Sequence, residues 1–248
     1  MTIGRRGLLL LCAALGCGPG AATPSDRMVL RTAKPAVEVA APAEAPEVRA
    51  PPEAEQRLAR VRGEVVLIPL GGFPDELLAA VEEGLRAEYD VRVTRAESRP
   101  LPKDAYYAPR RRYRADTLLE YLLTQIEGTP RTTRALGLTT RDISVTNGPH
   151  KDWGVFGYGF VPGKAAVISS FRLRRRTRDK ALVERRVVTT AIHEIGHTFG
   201  LDHCNEHGER CPMLDAEGSI VNTDSSTGHL GPGCRASLER AYPRTLPP

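Results

Sequence analysis

The chain has 248 residues and a formal net charge of +5, room for one folded domain with an appendage. The charge is modest overall, and its two dense arginine patches lack the interleaved aromatics of a nucleic-acid binder, apart from Tyr113. Beyond the N-terminus no stretch holds the ~20 apolar residues that a membrane-spanning helix needs.

Residues 1–17 read as an export signal. Arg5 and Arg6 give a positive start, Leu8 to Leu15 a short apolar stretch, and Ala-Leu-Gly-Cys ends at Cys17. That ending resembles a bacterial lipobox, which implies a lipidated Cys17 and an exported lipoprotein anchored in the bacterial envelope. A plain signal cleaved near Ala21-Ala22 and an uncleaved anchor are the alternatives. From 18 to 62 the composition shifts, with seven prolines between Pro19 and Pro52 and no aromatics. Such a segment buries too little apolar surface to offset its ordering entropy. It reads as a semi-rigid tether, with a pro-segment as the alternative.

The folded domain is expected over 63–248. Glu64 to Leu70 is a short apolar run bounded by Gly71-Gly72, a predicted buried strand. Leu77, Leu78, Val81 and Leu85 repeat at helical spacing within Pro74 to Tyr89, and Asp90 to Thr94 predicts a second strand. Leu101 to Arg114, rich in Pro, Tyr and Arg, reads as a loop. A helix is predicted from about Ala115 to Glu127 and a strand near Arg134 to Leu138. Gly154 to Phe171 predicts one or two strands, one of them an edge strand bordering a cleft. Val183 to Phe199 predicts a long helix, and Arg235 to Ala241 a short one. The alternation predicts an α+β domain, a mixed sheet with helices against it and a small C-terminal subdomain. Two basic clusters, Arg110–Arg114 and Arg172–Lys180, are expected to be solvated loops.

The chemistry concentrates in His193 to His203, read as H-E-I-G-H-T-F-G-L-D-H. His193 and His197 stand four apart, one turn of a helix, so both rings share a face. His203 would lie roughly 9 Å further along a straight helix, so the chain must turn back. Gly200 stands where it can, because glycine tolerates the left-handed conformation that ends a helix. Three protein ligands leave one tetrahedral position open, the mark of a catalytic zinc. Glu194 is rotated ~100° from His193, where it can take a proton from water at the open position and hand it to the leaving amine. The eleven residues match the extended metzincin signature.

Cys204 directly follows the third histidine, Cys211-Pro-Met213 comes shortly after, and Cys234 follows at a distance. With this arrangement the chain resembles the archaemetzincins. The resemblance extends upstream through V-V-L-I-P-L-G at Val65 to Gly71, the residues around Tyr113, L-G-L-T-T-R-D-I at Leu136 to Ile143 and V-F-G-Y-G at Val155 to Gly159. It implies a zincin-like metallopeptidase domain in which the long helix carries the active site. It also implies a Met-turn at Met213 beneath the catalytic metal and a second, structural zinc held by cysteines. Here Cys204 and Cys211 have six residues between them where the family usually has four, and Ser237 stands where a fourth cysteine is expected. Serine is a poor zinc ligand. His207 or His229 could complete a Cys3His shell around Cys204, Cys211 and Cys234; otherwise two of the cysteines could pair as a disulfide.

The predicted function is hydrolysis of peptide bonds in a peptide or protein substrate, with Zn2+ on His193, His197 and His203 and Glu194 as general base and acid. The alternative is a zinc-bearing envelope binding module that has lost catalysis. The retained Glu194 argues against it.

Overall fold

β1 (Glu64–Leu70) is the strand from which the sheet grows. Its run of valine, leucine and isoleucine is the pattern of a parallel strand covered on both faces. It pairs in parallel with β2 (Arg92–Arg95) on one side and with the wholly buried β5 (Thr133–Thr139) on the other. β9 (Ala165–Ser169) lies parallel to β5, and β8 (Gly157–Gly159) closes the edge antiparallel to β9, giving the order β2-β1-β5-β9-β8. The computed structural model describes residues 61–204, 210–215 and 219–243. The expected export signal with Cys17, nearly all of the expected tether and His207 lie outside the described residues.

Successive side chains of a strand point to opposite faces, and the sheet uses both. Val65 and Leu67 face a cluster built with α1 (Asp75–Tyr89) and the long helix α4 (Lys180–Thr198). Ile68 and Leu70 face a second cluster built with α2 (Ala115–Gln125). The buried stripe of α1 is Leu77, Leu78, Val81 and Leu85, as its spacing predicts. Each fully buried leucine or valine contributes about 1.5–3 kcal/mol relative to exposure, so this stripe fixes which face of α1 turns inward. Arg62 is already part of the packed domain. It donates to the Tyr242 carbonyl and to Glu239. No helix among the described residues is long and apolar enough to cross a membrane.

The stretch read as a loop at Leu101 to Arg114 departs from expectation. It holds β3 (Tyr106–Tyr107) and β4 (Arg112–Arg114), which join β6 (Ile143–Asn147) and β7 (His150–Val155) in a second sheet, β3-β4-β6-β7. These strands are short, and β4 and β7 are rich in charge, so the sheet offers little apolar alternation. Their arginines are held by carboxylates instead. Arg112 reaches Asp142 at 2.8 Å and Asp152 at 2.7 Å, and Arg172 reaches Asp142 at 2.6 Å. Arg112 and Arg172 thus form a partly buried ion-pair network with Asp142 and Asp152 rather than a solvated face.

α4 starts at Lys180, three residues before the predicted Val183. The Asp179 carboxylate accepts hydrogen bonds from the amides of Ala181 and Leu182 at 3.0 and 3.3 Å and caps the helix. α3 (Ser170–Leu173), α5 (Val221–Ser225) and α6 (Pro232–Ala241) complete the α-helices among the described residues. Arg186 of α4 is buried and pairs with Asp224 of α5 through two contacts, 2.6 and 2.7 Å. The Arg186 hydrogen bonds hold the Asp224 carboxyl below the usual range, with burial acting the other way. This pair ties the long helix to the segment that follows the zinc motif.

Candidate metal centre

α4 divides along its length. Val187, Ala191 and Ile195, spaced four apart, are fully buried in the core. His193, Glu194 and His197 line a cleft of about 740 Å³ that β7 and β8 also border. The helix stops as Gly200 requires. Gly200 has φ 79°, its amide donates to the His197 carbonyl at 2.8 Å, and the Leu201 amide donates to the Gly196 carbonyl at 3.0 Å. These two bonds are those of a Schellman end. They reverse the chain so that His203 meets the other two histidines. The His193–His197, His193–His203 and His197–His203 ring centroids are 4.6, 5.3 and 5.0 Å apart. One nitrogen from each ring falls within 4.8 Å of the others.

The rings are prepared for a cation. His193 Nδ1 lies 2.8 Å from the Pro212 carbonyl oxygen, and His197 Nδ1 lies 2.8 Å from that of Leu201. A carbonyl only accepts, so Nδ1 carries the proton in both rings. Burial, with His197 second, pushes the His193 ring down to about 3, and burial lowers His197 too. Both rings are therefore neutral, with unprotonated Nε2 atoms facing each other at 3.0 Å. Two lone pairs so placed repel unless a cation sits between them. Two nitrogens at ~2.0–2.1 Å from one tetrahedral zinc would lie roughly 3.3 Å apart, so the donor set fits zinc.

Glu194 is buried beside this centre, its carboxyl pushed up by burial to about 8. A nearby cation works in the opposite direction, favouring the carboxylate. Its surroundings explain the glycines of β8, a role that the sequence reading missed. A Cβ on Gly157 would stand 2.5 Å from both Glu194 Cγ and Oε1, and one on Gly159 would stand 3.0 Å from the Glu194 carbonyl. The G-Y-G pattern beside a cleft was the available signal. Gly157→Ala is expected to displace the Glu194 carboxylate and lower kcat/KM by about 100-fold, the scale of a 1 Å misplacement in an active site. Zinc content should stay at the wild-type level, which metal analysis and peptide-cleavage assays on the same preparation would check.

Met213 is fully buried under the helix, and a Cβ added to Gly196 would stand 2.5 Å from its sulfur. Its carbonyl accepts from the Cys204 amide at 2.8 Å, so the methionine turn holds the backbone next to His203. Cys204, Cys211 and Cys234 are buried, with all three sulfurs within 4.8 Å of one another. No disulfide joins them. Burial, reinforced by Cys211, raises the Cys234 thiol, and the Gly231 amide donates to the Cys211 sulfur at 3.2 Å. Three convergent soft donors fit a thiolate metal site. His229 does not join them. Its Nδ1 lies 3.0 Å from the buried Glu88 carboxylate, which also holds Arg235 at 2.6 Å. His150 is exposed on β7 against Trp153 and belongs to neither cluster.

Helix, turned chain and three converging rings above a methionine turn define a zinc-dependent metallopeptidase of zincin-like architecture. Comparison with known proteins agrees. The model of peptidase family M54 matches residues 88–240. An archaemetzincin from Natronomonas pharaonis is 32% identical over 182 residues, covering 70% of this chain and 98% of the relative. The crystal structure of the Methanopyrus kandleri archaemetzincin superposes with a TM-score of 0.62 at 31% identity, covering 72% of this chain and 94% of that one. That of the Archaeoglobus fulgidus archaemetzincin gives 0.58 at 27% identity, covering 70% and 99%. The chain belongs to peptidase family M54, the archaemetzincins.

Proposed function

We propose that His193, His197 and His203 hold the catalytic zinc and that Glu194 is the general base and acid of peptide-bond hydrolysis. The observation that carries this reading is the pair of Nε2 atoms 3.0 Å apart, each ring's Nδ1 turned to a backbone carbonyl, on a helix that buries Glu194 beside them. When bound, zinc polarises the scissile carbonyl and lowers the pKa of a water toward ~7. Glu194 takes the proton released as that water attacks the carbonyl carbon. It then delivers the proton to the nitrogen as the C–N bond breaks. β8 is the edge strand of the sheet and lines the cleft. An extended peptide can add to such an edge by main-chain hydrogen bonds, which supports a peptide or protein as substrate.

The three buried thiols support a second, structural zinc, with His207 as the remaining candidate for its fourth ligand. The signal and proline-rich stretch support export and a lipid anchor at Cys17, with the catalytic domain held at the envelope membrane. Digestion of an unbiased peptide library by the full chain, with and without chelator, tests the reading together with zinc counting. Chelator-sensitive cleavage and two ions per chain are expected. Cleavage that survives complete metal removal would refute the catalytic assignment, and one ion per chain would refute the structural zinc.

A further inference from the structure

Each ring in the histidine cluster presents Nδ1 to an oxygen. For His193 and His197 that oxygen is a backbone carbonyl at 2.8 Å. For His203 it is a side chain, Asp215, whose Oδ2 lies 3.4 Å from Nδ1. His203 also differs in its setting. It lies beyond the helix end, and its side chain is 43% exposed, so neither the helix nor the core fixes its ring.

The backbone holds the two segments that carry these residues together. Cys204 and Leu214 form an isolated parallel bridge, closed by the Cys204 amide on the Met213 carbonyl at 2.8 Å. In a parallel bridge His203 lies opposite Met213 and Asp215 lies one step beyond Leu214, so the two residues meet diagonally, through their side chains. The Asn222 side chain in α5 donates to the Asp215 carbonyl and pins the far side. The Asp215 carboxylate is not among the atoms that converge with the three histidine nitrogens. It therefore stands outside the ligand set, at His203 Nδ1 and on the wall of the same cleft.

We infer that Asp215 is the positioning residue of the third zinc ligand, holding His203 Nδ1 so that Nε2 is left for the metal. This inference rests on the three-histidine zinc reading. A carboxylate behind a ligating imidazole fixes its tautomer and orientation and raises its basicity, and its loss typically costs about 10–100-fold in metal affinity. Asp215 is substituted here by its side chain alone, since its backbone contacts do not depend on residue type.

The test is chelator competition on the full chain, with Co2+ as the probe because its visible spectrum separates imidazole from thiolate coordination. Wild type, Asp215→Ala, Asp215→Asn and His203→Ala are compared. Asp215→Ala is expected to weaken binding at the histidine site by about 10–100-fold, with thiolate bands and the melting temperature of the metal-free protein unchanged. Asp215→Asn keeps an acceptor oxygen and is expected to recover part of the loss. A value for Asp215→Ala within twofold of wild type, with His203→Ala impaired, would overturn the Asp215 assignment alone. Wild-type affinity in His203→Ala would overturn the three-histidine reading on which it rests.

Discussion

Glu194→Ala is expected to leave zinc at the histidine site and to lower peptide hydrolysis by about 10²–10⁴-fold, the contribution of a positioned general base. The reason is local. Glu194 lies one residue from His193 but faces a different side of the same turn, and its carboxyl packs against β8 rather than among the converging nitrogens. Removing it takes away the proton carrier without touching a ligand. The loss should fall equally on kcat and kcat/KM, as for an interaction made only in the transition state. Glu194→Gln removes the base while keeping nearly the same volume beside Gly157. It should be as inactive as the alanine variant, which separates proton transfer from packing. Turnover within tenfold of wild type in either variant, at equal zinc content, would refute the role. It would also favour a binding module over an enzyme.

The parts of this molecule that sequence alone disclosed are those written in a periodicity. β1 and α1 have apolar residues at strand and helix spacing, and both form where that spacing places them. The zinc motif is more legible still, because two histidines one turn apart and a helix-ending glycine are local facts that need no knowledge of the fold. The second sheet was hidden because β4, β6 and β7 are stabilised by Arg112, Arg172, Asp142 and Asp152. Those contacts join residues 30 to 40 positions apart, and the only alternation left to read is the short Ile143-Ser144-Val145 of β6. The same holds for α5, whose five residues carry no apolar stripe and whose link to α4 is the Arg186–Asp224 pair. Gly157 and Asp215 lie between these cases. Each is visible as a residue type, a glycine beside a cleft and an acid near a ligand. Their roles depend on distances to Glu194 and His203 that only the folded chain supplies.

His197→Ala is expected to empty the histidine site. The His197 ring contacts both other imidazoles, at 4.6 and 5.0 Å, and its Nδ1 also holds the Leu201 carbonyl in the turn that returns His203. One substitution thus removes a donor and loosens the turn carrying another. The affinity loss should exceed the roughly 10–100-fold that follows from losing an outer partner of a ligand. Stability gives a second readout. At free zinc a thousandfold above Kd, binding stabilises the folded state by about 4 kcal/mol. At roughly 2–4 °C per kcal/mol for a domain of this size, that is about 8–16 °C in Tm. The zinc-dependent rise from the histidine site should vanish in His197→Ala, while any rise from the cysteine cluster persists. That cluster is held by the Cys204–Met213 bond and by α6, not by the His197 ring. A variant that still takes up zinc at wild-type affinity, with the imidazole bands of its Co2+ form intact, would mean that the three rings do not share one ion.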